Sequence, residues 1–539
     1  LNDAFFEEHG LVRWSAKADI PGIAPTVSAA LDHALATVPN KIALIDRWGR
    51  ISYRDLDARV NAAAALFLSL GIQTGDRVAA TAANSIDLVS AFLAAQRIGA
   101  IWVGINRNYA PAEKRYFIQD SGAKLYLADR QAQEQIASIG VRVVDMEPSD
   151  PESGWHMALG DYSGAGRPAI AIDPWAPAGI GYTSGTTGRP KGAVHSQHNM
   201  MVAARMAQVM ARDTVDELIR GMTSPMTILN MMILGAIATL SKGDRLVCID
   251  RTDARGVADW IRDEKITTTT LVPTIVYDLL TRPDIGAEDL ASLDWLVVGG
   301  AMVPEGLRPL YEQRFDTPLA TGYGQTELPT AIARTHEKTP EVQGAVGRPL
   351  PHLEVRILDG EDAPVPAGAE GEICVRAART GAYADIYTPT LGYWNRPDAT
   401  TEVLRNGWLH TGDVGHMDED GDLHIHDRRS DLILRGGANI YPAEVERILR
   451  MDRRIADCAV LGIADVRLGQ AVAAVVEVRG AVPETLQADL EALCAEHLAR
   501  YKNPVAWRFV DTLPRNSMGK IVKGELRPLF EPVDDALPH

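Results

Sequence analysis

The sequence predicts a layered α/β protein with mostly parallel sheets, a small β-rich subdomain, and a separate α+β unit at the C-terminal end. Three observations lead there. At 539 residues the chain is too long for one compact domain. Apolar positions alternate between helical and strand spacing along most of it, and the texture changes twice, after Leu353 and after Arg428.

Taken in order, Val60, Ala63, Leu66, Phe67 and Leu70 recur at helical spacing. Arg77 to Thr81 then reads as a strand, the stretch through Phe92 as a helix, and IWVGI as the next strand. The alternation returns around Lys124 to Leu127, Thr268 to Val272 and LDWLVVGG, so helices should cover both faces of the sheets. Between Leu353 and Tyr393, EVRIL and GEICVR are short β runs separated by Gly, Pro and Asp turns. Beyond Arg428 come a Gly-containing turn, a helix from Ala443, strands CAVLGI and AVAAVVEV, a helix from Thr485, and a basic tail. No internal repeat or low-complexity linker interrupts this order.

Composition narrows the function. With 46% hydrophobic and 23% charged residues the chain is neither disordered nor fibrous. A formal charge of -17 repels nucleic acid and anionic membranes, so no nucleic-acid partner is expected and local basic loops must recruit any anionic substrate. Cys248, Cys374, Cys458 and Cys494 stand far apart, without a C-x-x-C pair, and read as buried thiols in a reducing compartment. The N-terminal LNDAFFEEHG lacks a secretory pattern, the apolar run Pro225 to Leu240 is interrupted, and the final ALPH carries no lipidation or peroxisomal signal. The expected location is the cytoplasm, with no integral membrane segment.

The strongest local signal is YTSGTTGRPKG, Tyr182 to Gly192. Backbone N–H groups, hydroxyls and one ammonium can wrap phosphate oxygens in such a loop. It is not the common triphosphatase loop, because Pro190 precedes Lys191 and Gly192 follows it. A plain surface turn is the competing reading.

Further motifs follow: GGA at Gly299 to Ala301, YGQTE at Tyr323 to Glu327, GAVGRP at Gly344 to Pro349, GEI at Gly371 to Ile373 and GYWNRP at Gly392 to Pro397. GWLHTGD spans Gly407 to Asp413, DRRSDLILRGGANIYPAEVE Asp427 to Glu446, and PRNSMGK Pro514 to Lys520. With the loop, these resemble, in order and over essentially the whole chain, the adenylate-forming superfamily of acyl-CoA synthetases, peptide-synthetase adenylation domains and luciferases. The resemblance implies a large αβαβα N-terminal domain (1–429) with a small β-barrel subdomain (about 350–429), and a small mobile C-terminal lid (430–539). It also implies an acid–CoA ligase that consumes ATP with Mg²⁺ and coenzyme A.

Residue by residue, the resemblance places Thr183, Ser184, Gly185, Thr186, Thr187, Gly188 and Lys191 on the phosphates. Lys520 would bridge the carboxylate and the α-phosphate, two anions that cations must neutralise before attack; a solvated tail lysine is the alternative. Glu327 would hold Mg²⁺, as one or two carboxylates commonly do, beside the Thr326 hydroxyl. Tyr323 would lie against adenine, unless it only packs the core, with Gly300, Ala301, Gly324 and Gln325 around the nucleotide. Asp413 would accept both ribose hydroxyls and Arg428 would add a donor. Ser430 sits at the hinge, where relatives often have Asp or Lys, and Gly436 and Gly437 would line the pantetheine tunnel, or simply make a tight turn.

The departures bear on the acid. Relatives often read P-x-[FM]-H after the proline, and Ile228 takes the His position. With Met226, Leu229, Met231, Met232 and Ile233 this suggests a greasy pocket, completed by Gly299 and Gly322, though core packing explains many of these residues as well. No acidic residue lies between Pro225 and Leu240, which argues against an amino acid substrate. Gln197 stands where relatives often have His, and Leu434 where some have Lys. The expected partners are a hydrophobic carboxylic acid, ATP and CoA. A homodimer is one option for the assembly. A carrier-protein pantetheine is the alternative acceptor, and a non-catalytic nucleotide- or acyl-binding relative is the alternative of another class.

Overall fold

Helix Tyr53–Ser69 and strand Arg77–Thr81 form where the spacing predicts them. Ser52 starts the helix by accepting Asp55 N–H on Oγ at 3.2 Å, and Val60, Ala63, Leu66 and Phe67 make its buried stripe. The computed structural model describes residues 1–136, 139–183, 190–211, 217–299, 306–335, 344–428, 431–435, 438–465, 468–498, 500–516 and 519–530.

Among these residues the strands form three sheets. The first runs Gly392–Tyr393, Lys191–Ser196, Pro177–Thr183, Ile101–Gly104, Arg77–Thr81, Leu125–Ala128, Arg142–Asp145. Its first two pairings are antiparallel and the rest parallel. The second has a parallel run, Ile42–Asp46, Arg245–Cys248, Ile219–Met222, Thr268–Leu271, Trp295–Val298, Leu319–Gln325. There it turns antiparallel and continues through Leu328–Arg334 and Ala345–Pro349 into the β-rich stretch, Leu423–Arg428, Trp408–Met417, Gly371–Ala377 and Leu353–Leu358. The third joins Ala438–Ile440, Ile433–Arg435, Gly469–Val478, Ile455–Asp465 and Ala506–Val510. Helices Pro442–Leu449 and Leu486–His497 share its core through Val445 and Leu490. This is the layered α/β body with a small α+β unit that the sequence predicts.

The two large layers touch through missing side chains. A Cβ on Gly104 would lie 2.0 Å from Thr227 O, and one on Gly179 would lie 2.9 Å from the Leu229 methyls, so the first sheet admits the Thr227–Leu229 segment only because both positions are glycine. Behind that segment the apolar run becomes a short helix, Leu229–Met231, then a π-helical stretch, Met232–Ile237, and a final turn, Ala238–Leu240. No helix of the described residues is long and apolar enough to cross a membrane. The four cysteines are buried, and burial pushes the Cys458 thiol up to about 12.

Candidate active site

Strand Leu319–Gln325 reverses at Thr326 and Glu327 into Leu328–Arg334, with Gln325 opposite Leu328. The turn therefore concentrates Gly322, Tyr323, Gly324, Gln325, Thr326 and Glu327 where the parallel and antiparallel parts of the second sheet meet. Gly324 is required there, since a Cβ would approach Thr330 O to 2.9 Å. Side chains from other elements fix the turn. His195, on the first sheet, is fully buried and its Nε2 lies 2.7 Å from Thr326 O. Burial lowers its pKa to about 4, so the ring is neutral and Nε2–H donates to that carbonyl. Asn230 Nδ2 donates to Gln325 O at 3.0 Å. Gly181 leaves space for Thr326, whose Cγ2 would lie 2.8 Å from a Cβ at that position.

Glu327 is half-buried, and Tyr393 Oη donates to its Oε1 at 2.6 Å. Its Oε2 accepts from none of the described residues. Tyr323 Oη donates to Asp413 Oδ2 at 2.5 Å. Asp413 is itself buried on strand Trp408–Met417, opposite Arg428 across the Leu423–Arg428 pairing. Gly299 follows strand Trp295–Val298, and the space for its Cβ is bounded by Gly322 O at 3.7 Å. The structure thus brings Gly299 and Asp413 to the contiguous run Gly322, Tyr323, Gly324, Gln325, Thr326 and Glu327.

The phosphate-loop candidates divide. Thr183 and Lys191 face each other at the base of a hairpin, Thr183 Oγ1 donating to Lys191 O at 3.3 Å, and the Lys191 ammonium sits 5.0 Å from the Tyr393 ring centre. Ser184, Gly185, Thr186, Thr187 and Gly188 lie outside the described residues, as do Gly300, Ala301, Ser430, Gly436, Gly437 and the side chains of Arg428 and Leu434. Lys520 is exposed at the end of a tight turn: Asn516 Oδ1 accepts Lys520 N–H at 3.0 Å, and Asn516 N–H donates back to Lys520 O at 2.8 Å. Gly519, at φ +76°, permits that turn.

Of the acyl-pocket candidates, Ile228 is half-buried at the start of its helix, as is Met231. Leu229 and Met232 are packed in the core, Leu229 against Gly179 and Gly181. Gln197 is a structural residue: its Oε1 accepts Val27 N–H at 2.8 Å and its Nε2 donates to Gln96 at 2.8 Å. His195, Asn230 and Tyr393 were not singled out from the sequence. His195 lies in AVHSQ and Tyr393 in GYWNRP, but only strand pairing says what these two touch, and Asn230, inside the apolar run, carries no such signal.

A second group with metal-ligand chemistry, Glu372, Cys374 and His410, is buried in the antiparallel strands. His410 Nδ1 lies 3.1 Å from Glu372 Oε2 and 3.2 Å from Cys374 Sγ. Arg405 already meets that carboxylate at 3.2 Å and Gly412 N–H donates to its other oxygen at 3.0 Å, which makes the group a hydrogen-bonded network.

Comparison with known proteins identifies the family. The AMP-binding enzyme family model matches residues 31–382, and the AMP-binding enzyme C-terminal domain model matches 444–520. A fatty acid–acyl-carrier-protein ligase from Streptomyces coeruleorubidus is 32% identical over 510 residues, 91% of this chain and 94% of its own. An indoleacetate–CoA ligase from Aromatoleum aromaticum is 32% identical over 525 residues, 93% of this chain and 98% of its own. The crystal structure of ATP-bound MatB from Rhodopseudomonas palustris superposes with a TM-score of 0.83 at 29% identity, covering 94% of this chain and 99% of that one. The chain belongs to the AMP-binding enzyme family, within the adenylate-forming superfamily of the acyl-CoA synthetases.

Proposed function

We propose that the protein is an AMP-forming acid–CoA ligase, in which a carboxylate oxygen attacks the α-phosphate of ATP and expels pyrophosphate, and the thiol of CoA then displaces AMP from the acyl adenylate. The observation that carries this reading is the Thr326–Glu327 turn, a hydroxyl and a carboxylate fixed by His195, Asn230 and Tyr393 where the parallel and antiparallel parts of the second sheet meet, with the nearby Tyr323–Asp413 pair. In this reading Asp413 offers its carboxylate to the ribose, Tyr323 flanks adenine and Thr326 meets the α-phosphate. Lys191 and the loop before it hold the terminal phosphates, and Lys520, delivered by the C-terminal unit (430–539), draws the two anionic reactants together.

Mg²⁺ fits the donor set: Glu327 is a hard oxygen ligand with Oε1 anchored by Tyr393 and Oε2 left for a cation. Bound there, the ion would withdraw charge from the phosphate oxygens. Gly436 and Gly437 are the proposed contacts for pantetheine. The half-buried Ile228 and Met231 support a hydrophobic acid, aliphatic, alicyclic or aromatic. A second reading, transfer to a carrier-protein pantetheine, is favoured by the acyl-carrier-protein ligase among the relatives.

The test is an assay of AMP and thioester formation with ATP, Mg²⁺ and a panel of fatty, alicyclic and aromatic acids, with CoA, with a holo carrier protein, or with neither. Acyl-CoA formation that needs both an acid and CoA supports the ligase. Thioester on the carrier alone moves the assignment to carrier loading, and absence of AMP with every acid argues against this substrate class.

A further inference from the structure

We infer that Tyr393 is the positioning residue for the metal-binding carboxylate, holding Oε1 of Glu327 so that Oε2 is presented to the cation; this rests on the reading of Glu327 given above. A glutamate reaches its carboxylate through three rotatable bonds, and a half-buried one beside an anionic nucleotide needs something to stop it turning away. A phenol does this without competing as a cation: near neutral pH it keeps its proton, so it donates to the carboxylate and adds no charge.

The ring has little freedom to do otherwise. Tyr393 is 7% exposed. Its N–H donates to Thr400 Oγ1 at 2.9 Å, and its carbonyl accepts Arg396 N–H at 3.0 Å. The two-residue strand Gly392–Tyr393 pairs with Val194 and Ala193 beside the phosphate hairpin, and Trp394 N–H donates to Gly192 O at 2.8 Å. Gly392, at φ +114°, is required for this path, because a Cβ would approach Thr400 Cγ2 to 2.3 Å.

The same ring carries the Lys191 ammonium at 5.0 Å from its centre, within cation–π range. One rigid side chain therefore touches both the carboxylate proposed for the cation and the lysine proposed for the phosphates. Each stays oriented before the nucleotide arrives, and neither Lys191 nor Glu327 forms an ion pair with any described residue.

The test uses Mn²⁺ in place of Mg²⁺ and a non-hydrolysable ATP analogue, so that no turnover is needed. Mn²⁺ binding to the full-length protein with the analogue is followed by electron paramagnetic resonance, and metal-free analogue binding is measured in parallel. Tyr393→Phe is expected to raise the Mn²⁺ midpoint about tenfold, about 1.4 kcal/mol, with metal-free binding unchanged. Glu327→Gln is expected to raise it further. A Tyr393→Phe midpoint within about twofold of wild type, while Glu327→Gln is impaired, overturns the Tyr393 assignment alone. An unchanged Glu327→Gln midpoint overturns the Glu327 reading, and the inference falls with it. Should Tyr393→Phe fail to fold, Thr400→Val, which removes the acceptor of the Tyr393 N–H, must raise the midpoint at least threefold, and a smaller change counts against the proposal.

Discussion

Tyr323 and Asp413, 90 residues apart, meet through a hydrogen bond of 2.5 Å from the phenol to the carboxylate. The two belong to the parallel and antiparallel parts of the second sheet, so this contact ties the turn bearing Glu327 to the β-rich strands. Asp413→Asn removes the charge while keeping the shape. Loss of a hydrogen bond to a charged group costs about 1.5–3 kcal/mol, so KM for ATP is expected to rise roughly ten- to hundredfold with the acid dependence little changed. Steady-state kinetics with ATP varied checks this, and an unaltered KM removes Asp413 from the nucleotide site.

Gly181→Ala tests the contact between layers. Its Cβ would sit 2.8 Å from Thr326 Cγ2 and 3.6 Å from Leu229 Cβ, so the turn must move or the protein must accept strain. A cost of about 1–3 kcal/mol in stability is expected, with a larger proportional loss of adenylation. Gly160→Ala is the control: it lies in helix Gly154–Asp161 with nothing within 4 Å of a Cβ, and should gain about 0.4–1 kcal/mol. Denaturant melts of both variants measure the difference.

Stability should fall on mild acidification. Burial lowers the pKa of His195 and His198 to about 4 and of His352 to about 3, while the unfolded chain titrates near 6.5. Lowered folded values mean that the unfolded state takes up protons first, so stability declines as pH drops below about 6.5 and keeps declining until the folded values are reached. For His195 the shift corresponds to a few kcal/mol, at about 1.4 kcal/mol per unit. His416 and His426, stacked on each other and also lowered by burial, act in the same sense. His156, raised by its hydrogen bond to Asp87, opposes them, its contribution being lost as pH rises. Urea melts at pH 7.5 and pH 5 check the direction, and His352→Phe should flatten the dependence.

Ile228→His is expected to narrow the acyl pocket. Small changes of pocket shape alter selectivity by about 1–3 kcal/mol, so kcat/KM for bulky acids should drop tenfold or more relative to small ones. A ranking of acids that does not move takes Ile228 out of the pocket.

Much of this fold is legible in the sequence because it is local. The stripe Val60, Ala63, Leu66 and Phe67 and the strand Arg77–Thr81 follow from spacing alone, and so do Trp295–Val298 and Gly371–Ala377. Pairing across the chain is not local. His195 reaches Thr326 over 131 positions and Tyr393 reaches Glu327 over 66, and periodicity carries no information on which strands become neighbours. Leu229 illustrates the converse. Its apolar character suits a pocket or a core equally, and only the glycines at 179 and 181 on the facing strand show that its side chain packs between the layers. The π-helical stretch Met232–Ile237 is likewise not legible in the apolar spacing, nor is the packing of Met222 over Gly235, where a Cβ would lie 2.7 Å from the sulfur.

The central claim, activation of a carboxylate as its adenylate with Lys520 joining the reactants, is tested most directly by acid-dependent ATP–pyrophosphate exchange in the wild type and Lys520→Ala. The account predicts robust exchange in the wild type, and near-complete loss in the variant, which should still convert a supplied acyl adenylate and CoA to thioester. Exchange near the wild-type rate in Lys520→Ala would contradict it.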